Sequence, residues 1–180
     1  MNEIILRYLY NLVHGHGWLE ALTIFSSVYL GWIIVVLVLI IFFYRAQERL
    51  MAVTELIFAM STASVAWLIA HAIKWLYPVA RPLAALPDIA PLFAPSGVNA
   101  FPSGHAVFFF ALALAIFIVD RKLGQWLIFA ATIISVARVA AGVHWPLDIL
   151  GGLALAIFIV AGSSFIMRLI HPGFGRRLDG

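Results

Sequence analysis

Long apolar stretches separated by short polar segments dominate this chain of 180 residues. A membrane-spanning helix needs about 20 residues. Five apolar stretches approach or exceed that length: residues 21–44, 52–75, 103–119, 125–141 and 146–170. The third and fourth are short, so we expect their polar ends to lie below the headgroups, shielded by protein. The pattern predicts an all-α integral membrane protein with a bundle of five transmembrane helices, six being the alternative.

The segments between and around these stretches complete the predicted organisation. Residues 1–18 mix polar and apolar positions and lack a cleavage pattern, so we expect a short interfacial helix rather than a signal peptide. Residues 76–102 are rich in proline and should form an extracytoplasmic loop. Residues 171–180 should form a cytoplasmic tail. We expect residues 1–180 to be a single domain.

Composition narrows the class of protein. Apolar residues make up 64% of the chain and charged residues 11%, with a mean hydropathy of +1.07. Soluble domains have about 25% charged residues, so both a soluble globular protein and a disordered chain are excluded. The chain has no cysteine, which excludes disulfides and thiolate chemistry. Because the charges are few, their positions are informative.

The positive-inside rule gives the chain an orientation. With five spans, seven basic residues fall on one side, which should be cytoplasmic: Arg45, Arg49, Arg121, Lys122, Arg168, Arg176 and Arg177. We therefore expect a multi-pass protein of the cell (inner) membrane with a cytoplasmic C-terminus. Four basic residues fall on the other side. A helix end at the headgroups explains Arg7, whereas Lys74, Arg81 and Arg138 need another explanation.

Polar residues at the extracytoplasmic ends of spans two to five have the composition of an anion site. Lys74 and Arg81 flank the start of the long loop, and Arg138, His144 and Asp148 surround the turn between spans four and five. Charged groups near the membrane core are costly and indicate function by default. The planar guanidinium fork of arginine suits bidentate phosphate contact.

Two histidines could supply the nucleophile and the acid of this predicted site. Ser103 follows a proline and precedes an apolar run, which is typical of a helix N-cap, so the N–H groups of Gly104 and His105 would face an anion. Asp148 lies four residues after His144 and can orient that imidazole for attack. One nucleophilic and one acidic imidazole suffice for a two-step phosphoryl transfer without a metal.

Three motifs in order resemble those of the type 2 phosphatidic acid phosphatase superfamily, which also includes bacterial undecaprenyl pyrophosphate phosphatases and vanadium haloperoxidases. The first is Lys, six residues and Arg-Pro (KWLYPVARP, residues 74–82), and the second is Pro-Ser-Gly-His (residues 102–105). The third is Arg, five residues, His, three residues and Asp (residues 138–148). Ala137 replaces the serine that precedes this arginine in the family, which removes a hydroxyl but no charge. Many members also have six spans.

The resemblance implies a role for each motif residue. His144 is the nucleophile that forms a phosphohistidine, Asp148 orients it, and His105 is the general acid. The implied phosphate binders are Lys74, Arg81, Ser103, Gly104 and Arg138. No cofactor and no bound metal are expected. His71 could line the site, although a hydrogen-bonded helix residue is the simpler interpretation.

These expectations converge on a lipid phosphatase acting at the outer leaflet. An amphiphilic lipid phosphate would enter sideways from the bilayer, and family analogy favours the conversion of undecaprenyl pyrophosphate to undecaprenyl phosphate. Phosphatidylglycerophosphate, phosphatidic acid and lipid A phosphates stay open as substrates. The alternative from another class is a non-catalytic protein that binds or transports a lipid phosphate. We expect no nucleic-acid partner, and the oligomeric state is open.

Overall fold

The computed structural model describes residues 1–95, 97–172 and 174. Regular structure in these residues consists of helices and one isolated β-bridge between Ala80 and Asn99. The α-helices are α1 (Asn2–Val13), α2 (Gly17–Ile24), α3 (Leu30–Glu48), α4 (Met51–Leu76), α5 (Pro82–Ala85), α6 (Gly104–Val119), α7 (Arg121–Ala140) and α8 (Pro146–Ile170), and a π-helical segment (Phe25–Tyr29) joins α2 to α3. Most of the predicted tail, including Arg176 and Arg177, lies outside the described residues.

The helices confirm the predicted all-α membrane bundle. Within the described residues, four helical stretches are long and apolar enough to cross a membrane: Gly17–Gln47, Met51–Leu76, Arg121–Ala140 and Pro146–Ile170. The remaining predicted span, the third along the chain, is α6, an apolar helix of 16 residues. At 1.5 Å per residue it is about 24 Å long, which agrees with the expectation that this span is short.

The short helix α6 occupies the centre of the bundle, packed against α4, α7 and α8. It is apolar on all sides, as expected for a helix surrounded by protein. Gly152 lets α8 approach closely, because a Cβ there would lie 2.9 Å from the Cβ of Ala106 and 3.2 Å from the carbonyl oxygen of Ser103. The approach allows the backbone N–H of Ser103 to donate to the backbone carbonyl of Asp148 at 3.0 Å. Helix packing thus joins two of the predicted motifs.

The first span differs from its prediction in two details. Helix α1 ends at Val13, inside predicted residues 1–18, and after a turn in which Gly15 has φ +85° the next helix begins at Gly17, before the predicted start of the first span at residue 21. In the π-helical segment the hydrogen bonds join residues five apart, as from the Leu30 N–H to the Phe25 carbonyl, and such segments are frequent at functional sites. Its serines, Ser26 and Ser27, are buried. The hydrophobic pattern did not predict this segment, because the run stays apolar on both sides of it.

The two ends of the bundle carry different charges. We call the end where α4 and α7 finish and α6 and α8 begin the site end. At the opposite end, Arg45 pairs with Asp120 at 2.6 Å and Arg49 pairs with the buried carboxylate of Glu55 at 2.8 Å. Arg121 lies at the start of α7 and Arg168 in the last turn of α8, so both belong to that opposite end as well.

Helix α1 packs over the long loop at the site end. Leu6 and Tyr10 form a small apolar cluster with Ile89 of the loop and Val139 of α7, and the hydroxyl of Tyr10 donates to the carbonyl of Ala90 at 2.9 Å. The predicted explanation for Arg7, a helix end at the headgroups, is incomplete, since its guanidinium pairs with Glu3 and with Asp88. The hydrogen bond from Arg7 lowers the pKa of Asp88. The ion pair between Arg7 and Asp88 thus links the loop to α1.

Candidate active site

All eight residues predicted for the site lie at the site end of the bundle. They come from the last turn of α4, the long loop, the first turn of α6, the last turn of α7 and the start of α8. These residues are Lys74, Arg81, Ser103, Gly104, His105, Arg138, His144 and Asp148. Hydrogen bonds link the loop to the turn before α8, and α6 to α8. The fold therefore gathers the three motifs in one place.

His144 and Asp148 form a buried pair, each side chain being 2% exposed. Pro146 opens α8 in the position where proline is favoured, and Asp148 follows in the first turn. One carboxylate oxygen, Oδ2, accepts from the Trp145 backbone N–H at 2.8 Å and lies 3.2 Å from Nδ1 of His144. The carboxylate fixes the proton on Nδ1, so Nε2 keeps its lone pair.

The surroundings of His144 keep its ring neutral. Burial, and then the charges of Arg138, Arg81 and Lys74, hold the pKa of this imidazole well below its ordinary value of 6.5. Its contact with Asp148 is therefore a hydrogen bond from a neutral ring rather than an ion pair. A neutral imidazole with a free lone pair on Nε2 is the form that can act as a nucleophile.

Arg81 lies on the Nε2 side of His144. Its backbone is extended (φ −73°, ψ 160°), which is the conformation favoured before a proline, and it lies at the start of α5. The carbonyls of Gly97 and Val143 accept from Nε and Nη1 at 2.8 and 2.7 Å, and Nη1 lies 3.4 Å from Nε2 of His144. Burial lowers the pKa of Arg81, but a guanidinium remains charged at physiological pH. The positive charge is thus held beside the lone pair of His144.

Lys74 is positioned by the loop that follows it. Its ammonium donates to the carbonyls of Asn99 and Ala100 at 3.2 and 3.1 Å, and the amide of Asn99 donates back to the carbonyl of Lys74 at 2.8 Å. The bridge between Ala80 and Asn99 pairs the two ends of the loop beside these contacts. Asn99 therefore orients the cation at the end of the span.

Arg138 lies in the last turn of α7 and is 3% exposed, and its side chain contacts the first span. Its Nη1 donates to the carbonyl of Ser27 in the π-helical segment at 3.3 Å, and its guanidinium lies 5.7 Å from the centroid of the Phe93 ring. Its Nε has no hydrogen-bond partner among the described residues. Leaving a buried charged donor without a partner is costly, so this N–H is available for an anion.

The start of α6 has the predicted N-cap. The hydroxyl of Ser103 accepts from the N–H of Ala106, at a long 3.5 Å, and Ser103 is fully buried. The first N–H groups of a helix have no partner within the helix, and here Gly104 and His105 supply them. His105 is half-buried, and its ring centroid lies 6.2 Å from that of Phe109.

A groove of about 610 Å³ leads from the surface between α3, α4 and α6 to this helix start. Its walls are mainly apolar, and at one end they include Gly104 and His105. Two of its lining residues are well exposed, Trp32 at 73% and Leu68 at 59%. In a membrane those side chains would face lipid. The groove therefore connects the lipid-facing surface with His105.

Several residues that shape the site are not evident from the sequence. Asn99 orients Lys74, while Ser27 and Phe93 contact Arg138. Trp67 lines the groove, with its indole nitrogen close to Gly104. The only available signal for Ser27 was a pair of serines inside an apolar span. The others carry no signal of their own, because their roles depend on contacts between distant segments.

Comparison with known proteins assigns this arrangement to a family. The model of the PAP2 superfamily matches residues 52–171, which include all three motifs. The chain belongs to the PAP2 superfamily. It is a membrane lipid phosphatase, which confirms the predicted class of enzyme.

Individual PAP2 relatives cover most of the chain. Undecaprenyl-diphosphatase BcrC of Bacillus subtilis (strain 168) is 27% identical over 88% of this chain and 80% of its own. The bacitracin transport permease protein BcrC of Bacillus licheniformis is 26% identical over 87% of this chain and 76% of its own. The crystal structure of LpxE from Aquifex aeolicus matches with a TM-score of 0.72 and 26% identity, covering 91% of this chain and 94% of that one.

Proposed function

We propose that this PAP2 protein hydrolyses a lipid diphosphate through a phosphohistidine on His144, with undecaprenyl diphosphate as the substrate and undecaprenyl phosphate as the product. The observation that carries the proposal is the buried neutral imidazole of His144, held between Asp148 on Nδ1 and Arg81 near Nε2. The name of the Bacillus subtilis relative supports the choice of substrate.

The first step transfers the terminal phosphoryl group to the enzyme. Nε2 of His144 attacks the terminal phosphorus, the bond from phosphorus to the bridging oxygen breaks, and His105 donates a proton to that oxygen. Asp148 stabilises the positive charge that develops on the imidazole. Lys74, Arg81 and Arg138 stabilise the equatorial oxygens of the transferred group, which is the main requirement of phosphoryl transfer.

The second step returns the enzyme to its starting state. His105, now neutral, removes a proton from a water molecule, and the hydroxide attacks the phosphorus of phosphohistidine. The bond from Nε2 to phosphorus breaks, inorganic phosphate leaves, and both histidines recover their initial protonation states. Ser103 and Gly104 would bind the phosphate oxygens at the helix start during both steps.

The substrate is expected to enter sideways along the groove between α3, α4 and α6. Its chain would contact the apolar walls while its headgroup reaches the three cations at the site end. We assign the site end to the extracytoplasmic side, because the basic residues Arg121, Lys122 and Arg168 lie at the opposite end.

Cysteine labelling tests this orientation in a chain without natural cysteine. Val98 in the loop and Leu50 between α3 and α4 are 81% and 85% exposed, at opposite ends of the bundle. On intact cells, a membrane-impermeant maleimide should label Val98→Cys but not Leu50→Cys. The reverse pattern would contradict the proposed orientation.

A panel of substrates tests the reaction and its specificity. Purified wild-type protein in detergent should release phosphate from undecaprenyl diphosphate faster than from phosphatidic acid, phosphatidylglycerophosphate or lipid A phosphates. The rate should persist with a chelator present, because the proposed mechanism neutralises phosphate with side-chain cations. Faster release from any of the other lipids would transfer the substrate assignment to that lipid.

A second candidate function follows from the name of the Bacillus licheniformis relative, which describes a transport permease. A non-catalytic protein with this anion site would bind or move the lipid phosphate without releasing inorganic phosphate. The presence of both His144 and Asp148 favours hydrolysis. Binding of the lipid diphosphate with no phosphate release would favour transport.

A further inference from the structure

Trp67 and His71 lie one turn apart on α4, and the mechanism above does not use them. A Cβ built on Gly104 would lie 3.5 Å from both Nε1 of Trp67 and Cε1 of His71. The two rings are themselves close, with centroids 3.8 Å apart. Both side chains therefore lie against the helix start that carries His105.

The polar atoms of these rings are available to a ligand. Nδ1 of His71 lies 3.0 Å from the carbonyl oxygen of Trp67, so Nδ1 carries the proton and donates it to that carbonyl. Nε2 of His71 then carries the lone pair of the ring and can accept a hydrogen bond from a ligand. The indole N–H of Trp67 has no acceptor among the described residues. An N–H without a partner is costly in a lipid environment.

The groove determines which part of the substrate would reach these atoms. Trp67, Gly104 and His105 all line it. The lipid chain is attached to the leaving oxygen, and it must extend along the groove toward the bilayer. Because His105 protonates that oxygen, the group on the lipid side of the broken bond would lie between His105 and Trp67.

We propose that Trp67 and His71 bind the phosphoryl group that remains on the lipid, and so make the site prefer a lipid diphosphate over the monophosphate with the same chain. The inference rests on the proposed function. When the bond from the terminal phosphorus to the bridging oxygen breaks, His105 protonates that oxygen, and the lipid monophosphate leaves with a hydroxyl group and a negatively charged oxygen on its phosphorus. The N–H of Trp67 would donate to the charged oxygen, and Nε2 of His71 would accept from the hydroxyl group. A lipid monophosphate releases an alcohol instead, which gives these two groups no second phosphoryl group to contact.

The experiment compares farnesyl diphosphate with farnesyl phosphate in detergent, using wild type, Trp67→Phe and His71→Ala. The phenylalanine keeps an aromatic ring for packing and removes the N–H. Wild type should prefer the diphosphate. Each variant should lose about tenfold in kcat/KM for the diphosphate, the size expected for one hydrogen bond to a charged group, while kcat/KM for the monophosphate stays unchanged. Trp126→Phe and His171→Ala, which lie away from the site, should retain the wild-type ratio.

Two results would overturn this inference: a wild type that does not prefer the diphosphate, or variants in which the ratio of the two kcat/KM values is unchanged. Each counts against Trp67 and His71 alone when phosphate release still requires His144. Full release by a His144→Ala variant would instead remove the proposed function, and this inference with it. Melting temperatures of the variants in detergent should match wild type, so that an altered ratio reports recognition rather than misfolding.

Discussion

Replacing His144 with alanine is expected to abolish phosphate release, with a loss of at least about 10⁴-fold in kcat. Removing the nucleophile of a covalent mechanism removes the intermediate itself, and losses of this size or larger are typical. The cations Lys74, Arg81 and Arg138 remain in the variant, so the lipid diphosphate should still bind. The measurement pairs phosphate release with binding of the same lipid in detergent.

A matched histidine variant separates this effect from general damage. His171 follows α8 at the opposite end of the bundle and is exposed, so His171→Ala should retain wild-type activity. Activity near wild type in His144→Ala would show that another group attacks phosphorus. Loss of binding together with activity would show that His144 organises the anion site rather than reacting.

Replacing Asp148 with asparagine is expected to lower kcat about 10³-fold with little change in KM. The asparagine can still accept from the Trp145 N–H, which preserves the first turn of α8. It cannot stabilise a positive imidazole. In the flipped orientation of the amide, which gives up the Trp145 bond, the NH2 group would face Nδ1 of His144 and favour the tautomer without a lone pair on Nε2. Loss of the correct tautomer is costly in base and nucleophile pairs of this kind.

The control for the aspartate variant is Asp88→Asn. Asp88 is an exposed carboxylate of the loop that pairs with Arg7, and it lies outside the proposed chemistry. Its replacement should leave kcat within the wild-type range. A steady-state comparison that finds the Asp148→Asn rate equal to that of Asp88→Asn would contradict an orienting role for Asp148.

Much of the fold follows from local sequence patterns. Apolar runs predicted the long helices, Ser103 predicted the start of α6, and the predicted span 146–170 begins at the proline that opens α8, whereas the short α5 lies in a segment predicted as loop. The π-helical segment could not be predicted, because an extra residue in a uniformly apolar run leaves no periodic trace. Its consequence is long-range, since it presents the carbonyl of Ser27 to Arg138.

For the candidate site, the sequence pointed to the ionisable residues but not to the residues that support them. Its ionisable residues stood out because charge is rare in this chain, and spacing alone placed Asp148 within reach of His144. Their supports could not be predicted, because Asn99 holds Lys74 from 25 residues away and the groove depends on three packed helices. Gly104 was predicted to bind phosphate, but its contact with Trp67 and His71 required the packed structure.

A covalent phosphohistidine is the central feature of the proposed mechanism. Trapping that intermediate tests the mechanism most directly. Wild type and His144→Ala would be mixed with a lipid diphosphate carrying ³²P on the terminal phosphorus, quenched in base and analysed for label on protein. We predict label on wild type, released by acid, mapping to His144, and none on the alanine variant. Equal labelling of both proteins, or rapid phosphate release by wild type with no labelled protein at any quench time, would contradict the mechanism.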